Sequence, residues 1–481
     1  MKIYIKNLLL LPALIAGLGL IPTGRVMAQT FTTLHSFTNG SDGAYPYFGG
    51  VIISGSILYG TTAYGGNNGG GTVFRGNTDG TGFTNLHNFN LNLSSDAAIP
   101  YCDLILSSNT LYGTAVRSGT SGWGSVFAVN TDGTGFTNLY GFTATSGPLS
   151  INDDGATPDA GLILSSNTLY GTASEGGSAG NGTVFTVNTD GTGFTNLHSF
   201  TATSGSLSTN SDGVMPHAGL ILSSNILYGV TYGGGSSGKG TAFAINADGT
   251  GFTNLHNFAG GSDGANPYAR LISSGNTLYG TAQAGGSAGN GTVFKLDKNG
   301  TGYTNLHVFI YIDGARPLAG LILSGNTLYG TTKFGGSPGF GTVFGVNTDG
   351  TGFTNLYTFT ETSGPFPSTN SDGVQPGAGL TLSGYTLYGT AGNGGSSGYG
   401  TVFSLSFAPQ VTLIPSGSSL IFKWPTNVAG FDYTGFTLQS TTNLGSSASW
   451  STVFPGPVVV NGQNTVTNPI SGAQQFYRLI Q

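Results

Sequence analysis

The tripeptide Leu-Tyr-Gly occurs seven times, with its tyrosine at Tyr59, Tyr112, Tyr170, Tyr228, Tyr279, Tyr329 and Tyr388. The successive intervals are 53, 58, 58, 51, 50 and 59 residues. Self-similarity at such a period marks solenoids, propellers or arrays. A Val-Phe or Ala-Phe pair follows each tripeptide, with its phenylalanine at Phe74, Phe127, Phe185, Phe243, Phe294, Phe344 and Phe403. A Gly-rich loop separates the two. Repeat three shows four short runs, 160–164, 168–172, 183–187 and 194–200, rich in β-branched and aromatic residues. Such runs between turn residues read as strands. Asn188-Thr189-Asp190-Gly191 supplies the positive φ values of a tight hairpin, and Ser165-Ser166-Asn167 makes another.

The phase at the ends decides between a ring and a linear array. Residues 31–37 read as a fourth strand without its first three, and 401–405 as a third strand without its fourth. The N-terminal strand is expected to complete the last repeat and so remove the exposed edges of a linear array. A solenoid would need capping units instead. The fold expected is therefore all-β: a seven-bladed β-propeller over 29–407, four strands per blade, with 408–481 a small β-sandwich. Only 7% of residues are charged, against roughly 25% in an average domain. With 85 Gly and 11% aromatics, that fits sheets buried on both faces.

Lys2, Lys6 and the apolar run Leu8 to Leu20 read as a signal peptide, with Val26-Met27-Ala28 preceding the cleavage point and 1–28 removed. A secreted, periplasmic or cell-surface location follows, with no membrane span after cleavage. Removing Lys2, Lys6 and Arg25 leaves 10 basic and 19 acidic residues, a net charge of −9. That composition argues against nucleic acid as a partner. Cys102 is the one cysteine, so neither disulfides nor a Cys-based metal site is expected.

The repeated string Val-Phe, Asn-Thr-Asp-Gly-Thr-Gly, Thr-Asn-Leu-His, Asp-Gly-x-x-Pro and Leu-Tyr-Gly-Thr resembles the Gloeo/Verruco (GloVer) tandem-repeat family of exported bacterial proteins. The resemblance covers 31–407. It implies an extracytoplasmic location and brings no catalytic residues. Strand order is similar to that of a kelch propeller, without the kelch Trp. In the tail, 419–424, 436–440 and 475–479 alternate like half-buried strands, similar to fibronectin-type modules.

Loops on a rigid scaffold carry binding, and repeat-to-repeat variation concentrates on one rim. Three sets of positions stand out there. One follows the repeated Pro: Tyr47, Tyr101, Asp159, His217, Tyr268, Leu318 and Gly377. The second lies in the Gly-rich loop: Gly70, Trp123, Asn181, Lys239, Asn290, Phe340 and Tyr399. The third starts that loop and includes Tyr64, Arg117, Glu175 and Phe334. Repeat one also carries an extra residue between Pro46 and Tyr59. Tyr64, Trp123, His217, Tyr268, Phe334, Phe340 and Tyr399 are the candidate ligand contacts, suited to sugar rings or a surface protein.

The repeated Asp42, Asp96, Asp154, Asp212, Asp263, Asp313 and Asp372 read as turn residues, not as a Ca²⁺ site. His35, His87, His198, His256 and His307 share a strand position with Tyr140 and Tyr357, which points to packing or hydrogen bonding, not metal ligation. After the repeated turns are set aside, Asp103, Asp159 and Glu175 remain as candidates for a glycosidase-type carboxylate pair. Asp103 and Arg270 occupy one first-strand position three repeats apart and are expected to face each other across a channel. The function expected is a non-enzymatic binding or cell-surface interaction protein, monomeric and without cofactor. A carbohydrate-active hydrolase or lyase and a purely structural envelope component are the alternatives.

Overall fold

The structure, a computed structural model, describes residues 2–3, 29–93, 96–118, 121–444, 448–470 and 475–481. Apart from Lys2 and Ile3, the expected signal peptide lies outside the described residues. Among the described residues every regular element is a strand. No helix there is long and apolar enough to cross a membrane. The chain divides into two compact bodies, Phe31–Ser404 and one containing Leu405–Gln481.

The first body is a propeller-like succession of four-stranded antiparallel sheets. In repeat three the strands are Ile163–Ser165, Thr168–Ala173, Thr183–Asn188 and Thr195–Ser199, paired in that order. The first is shorter than its sequence run. Ala160 leaves the ladder, and its carbonyl instead accepts the Thr114 hydroxyl of the preceding repeat at 2.8 Å. Repeats one to six each build such a sheet from their own strands; in repeat five a fifth strand, Ala265–Pro267, joins it, and in repeat two the short strand Arg117–Ser118 pairs separately with Ala97–Ala98. In the sheet of repeat seven, Thr30–Ser36 lies beside Thr401–Ser406, followed by Thr386–Ala391 and Thr381–Ser383. The Phe37 amide donates to Gly400 O at 3.0 Å, as the Phe200 amide does to Gly182 O at 3.1 Å.

The two repeat markers are two halves of one contact. A Cβ on Gly171 would stand 2.6 Å from Phe185 Cζ, so the Leu-Tyr-Gly glycine makes room for the Val-Phe ring. Phe185 is fully buried, in a core with Tyr112, Phe142 and Leu162 that spans repeats two and three. Burying such a ring contributes about 1.5–3 kcal/mol.

Two further interactions recur from sheet to sheet. The threonine after Leu-Tyr-Gly donates its hydroxyl to a carbonyl in the segment just before the first strand of the next repeat. Thr61 reaches Cys102 O at 3.2 Å, Thr172 reaches Ala218 O at 3.0 Å, and Thr390 reaches Pro46 O at 3.1 Å. That last bond links repeat seven to repeat one. Val230 replaces this threonine in repeat four. The second interaction is a ring stack. Each His or Tyr of the shared fourth-strand position lies flat on a ring of the next repeat, centroids 3.5–4.1 Å apart and planes within 12°. In one of these seven stacks Phe31 receives Tyr357.

The same His or Tyr also bonds the repeated Asp of the following connection. His198 Nε2 lies 3.0 Å from Asp212 Oδ2, and the Tyr140 and Tyr357 hydroxyls donate to Asp154 and Asp372 at 2.8 Å. His-for-Tyr exchange is thereby explained, since both offer a flat ring and one donor at its tip. Cys102 is buried, and that burial pushes its thiol up to about 11, so it stays protonated.

The second body has two larger antiparallel sheets and a two-stranded ribbon, Asn427–Val428 with Phe431–Asp432. One orders Thr412–Ser416, Ser419–Pro425, Gln463–Pro469 and Val458–Val460; the other includes Phe476–Ile480, Thr437–Thr441 and Ser451–Thr452. Phe422, Trp424, Tyr433, Leu438 and Phe476 are buried in this body. The Phe422 and Tyr477 rings lie 4.4 Å apart.

Candidate functional site at the mouth of the central cavity

The residue before each repeated Pro is held in left-handed backbone. Tyr45, Ile99, Thr157, Met215, Asn266, Arg316 and Gln375 have φ between 53° and 60°. Such a conformation costs a non-glycine residue of order 1–3 kcal/mol and persists only where the surroundings impose it. Here the surroundings are the preceding repeat. The Thr157 amide donates to Trp123 O at 2.9 Å, the Arg316 amide to Asn290 O at 2.9 Å, and the Tyr45 amide to Tyr399 O at 2.8 Å. The second set of rim positions therefore contributes backbone acceptors. Its identity varies because its carbonyls carry this work.

This clamp turns the chain at Pro and brings the next residue to a central cavity lined by all seven repeats, among them Phe48, Tyr101, Asp159, His217, Tyr268, Leu318 and Gly377. Six of these belong to the post-Pro set. The seventh is Phe48, part of the one-residue excess of repeat one, and it takes the lining place of Tyr47. A pocket of about 400 Å³ opens beside it, bordered by Phe48, His217, Tyr232, Tyr268, Arg316 and Lys333. That volume suits a small ligand.

Nine rings form one connected belt at this mouth. Tyr399 meets Tyr45 edge-on at 5.5 Å, and Tyr45 stacks on Tyr47 at 5.3 Å. Tyr47 leads to Phe48 at 6.2 Å, which touches Tyr101 at 5.5 Å and Tyr268 at 5.6 Å. Tyr268 stacks on His217 at 4.8 Å, and Tyr232 stands edge-on to His217 at 5.7 Å. Tyr64 joins through its hydroxyl, 3.0 Å from that of Tyr101. Burial pushes the phenols of Tyr101 and Tyr268 well above the ordinary range, so both stay neutral.

His217 Nδ1 lies 2.6 Å from Asp159 Oδ2. Burial alone would lower the imidazole; the charge and hydrogen bond of Asp159, with the charge of Glu175, outweigh it and hold His217 above its ordinary value. A raised histidine contributes stability that is full below about pH 6.5 and is lost as pH rises through the folded value. His217→Asn is therefore expected to cost about 1.5–3 kcal/mol near pH 5.5 and clearly less near pH 8.5 in paired denaturant titrations. An equal cost at both would refute the charged pair.

Model matching for the Gloeobacter/Verrucomicrobia repeat covers residues 17–210 and 206–403. The chain belongs to this repeat family. The comparison with curated proteins gives no match. Among solved structures the Gloeobacter/Verrucomicrobia repeat chain is similar to a nidogen/laminin complex, at 18% identity over 50% of this chain and 72% of that one, TM-score 0.33. It is similar to oligogalacturonate lyase from Vibrio parahaemolyticus, at 9% identity over 78% and 93%, TM-score 0.44. A puromycin-hydrolyzing peptidase from Mycobacterium tuberculosis gives 10% identity over 82% and 61%, TM-score 0.44.

Several expected site residues of this Gloeobacter/Verrucomicrobia repeat chain behave differently from expectation. Trp123 packs its ring on the core shared by repeats two and three, while its carbonyl accepts the Thr157 amide. Phe340 is likewise tied through its carbonyl to the Gln375 amide and lies outside the belt. Phe334 sits beneath two cations, Arg316 Cζ at 5.5 Å and Lys333 Nζ at 5.6 Å. Asp103 and Arg270 both line the cavity but form no ion pair, since Asp103 Oδ1 accepts the Gly50 amide at 2.6 Å. The three candidate carboxylates are engaged separately: Asp103 by Gly50, Asp159 by His217, and Glu175 by the Thr157 hydroxyl at 3.1 Å. Sequence reasoning missed Phe48, Tyr45, Tyr232, Arg316 and Lys333. The excess residue of repeat one was the available signal for Phe48.

Proposed function

We propose that the chain is an exported glycan-binding protein whose seven sheets are the blades of one closed propeller, with the tail a small β-sandwich. Ring closure is supported by the Thr390–Pro46 bond, the Tyr45–Tyr399 bond and the Phe31–Tyr357 stack, all joining repeat seven or six to the N-terminal segment. The binding reading rests on one observation, the nine-ring belt bordering a pocket at the cavity mouth. Flat, half-buried aromatic faces beside hydroxyl and charged groups suit the apolar face and polar rim of a sugar. A hydrolase or lyase would place two carboxyl groups about 5–10 Å apart across a cleft. The separate engagement of Asp103, Asp159 and Glu175 favours binding instead.

Screening the exported chain on a glycan array, with pull-down of the hits, tests the proposal. Tyr268→Ala is expected to weaken binding at least about tenfold, the size of a hot-spot loss. Trp123→Ala should leave affinity unchanged once folding is verified. Binding lost with Trp123 and kept without Tyr268 would place the ligand elsewhere.

A further inference from the structure

The mouth pocket carries two positive side chains that no acidic group neutralises. Among the described residues the ion pairs are His–Asp pairs, and neither Lys333 nor Arg316 takes part in one. Lys333 Nζ stands over the faces of Tyr47 at 5.8 Å and Phe48 at 6.0 Å. Ring faces attract a cation without discharging it. Burial, then the charge of Arg316, hold the Lys333 ammonium below its ordinary value. Two like charges sharing a pocket are eased by an anion between them.

A second feature lies deeper, on the wall of the central cavity. The Asp159 side chain is 9% exposed. One of its oxygens is bonded to His217, while Oδ1 is buried without a hydrogen-bond partner among the described residues. His217 offsets the charge of Asp159, so this wall does not repel an anion as a bare carboxylate would.

Resting on the glycan-binding reading above, we infer that the pocket takes a carboxylate-bearing sugar unit of the uronic-acid class. Its carboxylate meets Lys333 and Arg316, and its ring faces Tyr268 and Phe48. Each simpler ligand leaves something unmet. A bare anion offers no face to the rings. A neutral sugar leaves both cations without a counter-charge.

Titration calorimetry on the exported chain tests this with matched probes: glucuronate and galacturonate against glucose and galactose, each as monosaccharide and as short oligomers. The acidic member of each pair should bind at least about tenfold more tightly, the scale of one charge-assisted contact. That preference should collapse in Lys333→Gln and Arg316→Gln and survive in Lys333→Arg. In the unaltered protein, raising salt should weaken acidic binding and spare neutral binding, which tests the idea even if a variant misfolds. Comparison of monosaccharide with oligomer separates a free sugar acid from the end of a polymer. Equal affinity for acidic and neutral probes, or a preference untouched by both Gln variants, overturns the acidic assignment and leaves glycan binding standing. Binding of inorganic phosphate with no sugar bound overturns both.

Discussion

Deletion of residues 31–37 is expected to abolish the single cooperative unfolding transition of the repeat body. The segment is the fourth strand of the last sheet, and its loss exposes the edge of Thr401–Ser406. It also removes three rings, those of Phe31, His35 and Phe37. Phe31 stacks on Tyr357 at 4.1 Å and on Phe403 at 5.3 Å, and Phe37 is fully buried against Phe74 at 5.5 Å. Truncating a buried phenylalanine typically costs about 3–5 kcal/mol. That loss, added to the half-buried Phe31 and His35 stacks and the strand's ladder bonds, takes a large share of the stability of an ordinary domain, about 5–15 kcal/mol. Calorimetry of the deletion should show a broad, multi-phase transition at lower temperature. A melting curve unchanged from the parent would sink the closed ring.

Asp212→Ala should be among the most damaging single changes in the inter-sheet connections. Asp212 is 4% exposed and accepts from the Thr201 amide at 3.0 Å, the Thr201 hydroxyl at 2.5 Å and His198 at 3.0 Å. Alanine removes all three bonds; the acceptor is buried while Thr201 is exposed and His198 half-buried, so the expected cost is about 1.5–3 kcal/mol. Asp190→Ala, in an exposed hairpin, serves as the control and should change little. The direction with pH follows from the carboxyl itself. Burial would raise it, but the His198 and Thr201 hydrogen bonds outweigh burial and hold it below its ordinary value. Asp42 and Asp263 are lowered in the same way. A lowered carboxyl contributes stability above about pH 4 that is lost as pH falls through the folded value. Urea titrations should therefore show the gap between parent and Asp212→Ala closing on acidification below about pH 4. A gap constant down to about pH 2 would contradict the clamp.

The scaffold was legible because every part of it is stated seven times. Leu-Tyr-Gly and Val-Phe mark a contact that Gly171 and Phe185 make explicit, and the phase of 31–37 announced its partner strand. The His/Tyr exchange announced a flat ring with a donor, though not the Asp that receives it. The mouth was less legible, for a physical reason. Phe48 touches Tyr268, and Lys333 stands over Phe48, across a cavity that brings distant repeats together. Contacts of that kind have no period. Trp123 misled because a large ring in a loop reads as exposed, whereas its ring packs against Tyr112, Phe142 and their neighbours in the core shared by repeats two and three.

The positive-φ clamp before each Pro has a consequence for how such a chain can change. The clamp is made by backbone groups, the stacks by fourth-strand rings, and the sheet-to-sheet bonds by threonines. None of these uses the side chain that follows Pro. Phe48, Tyr101, Asp159, His217, Tyr268, Leu318 and Gly377 thus form a seven-place display that can be rewritten one letter at a time while the frame beneath stays constant. The excess residue of repeat one is itself such a change, since it sets Phe48 where Tyr47 would otherwise stand.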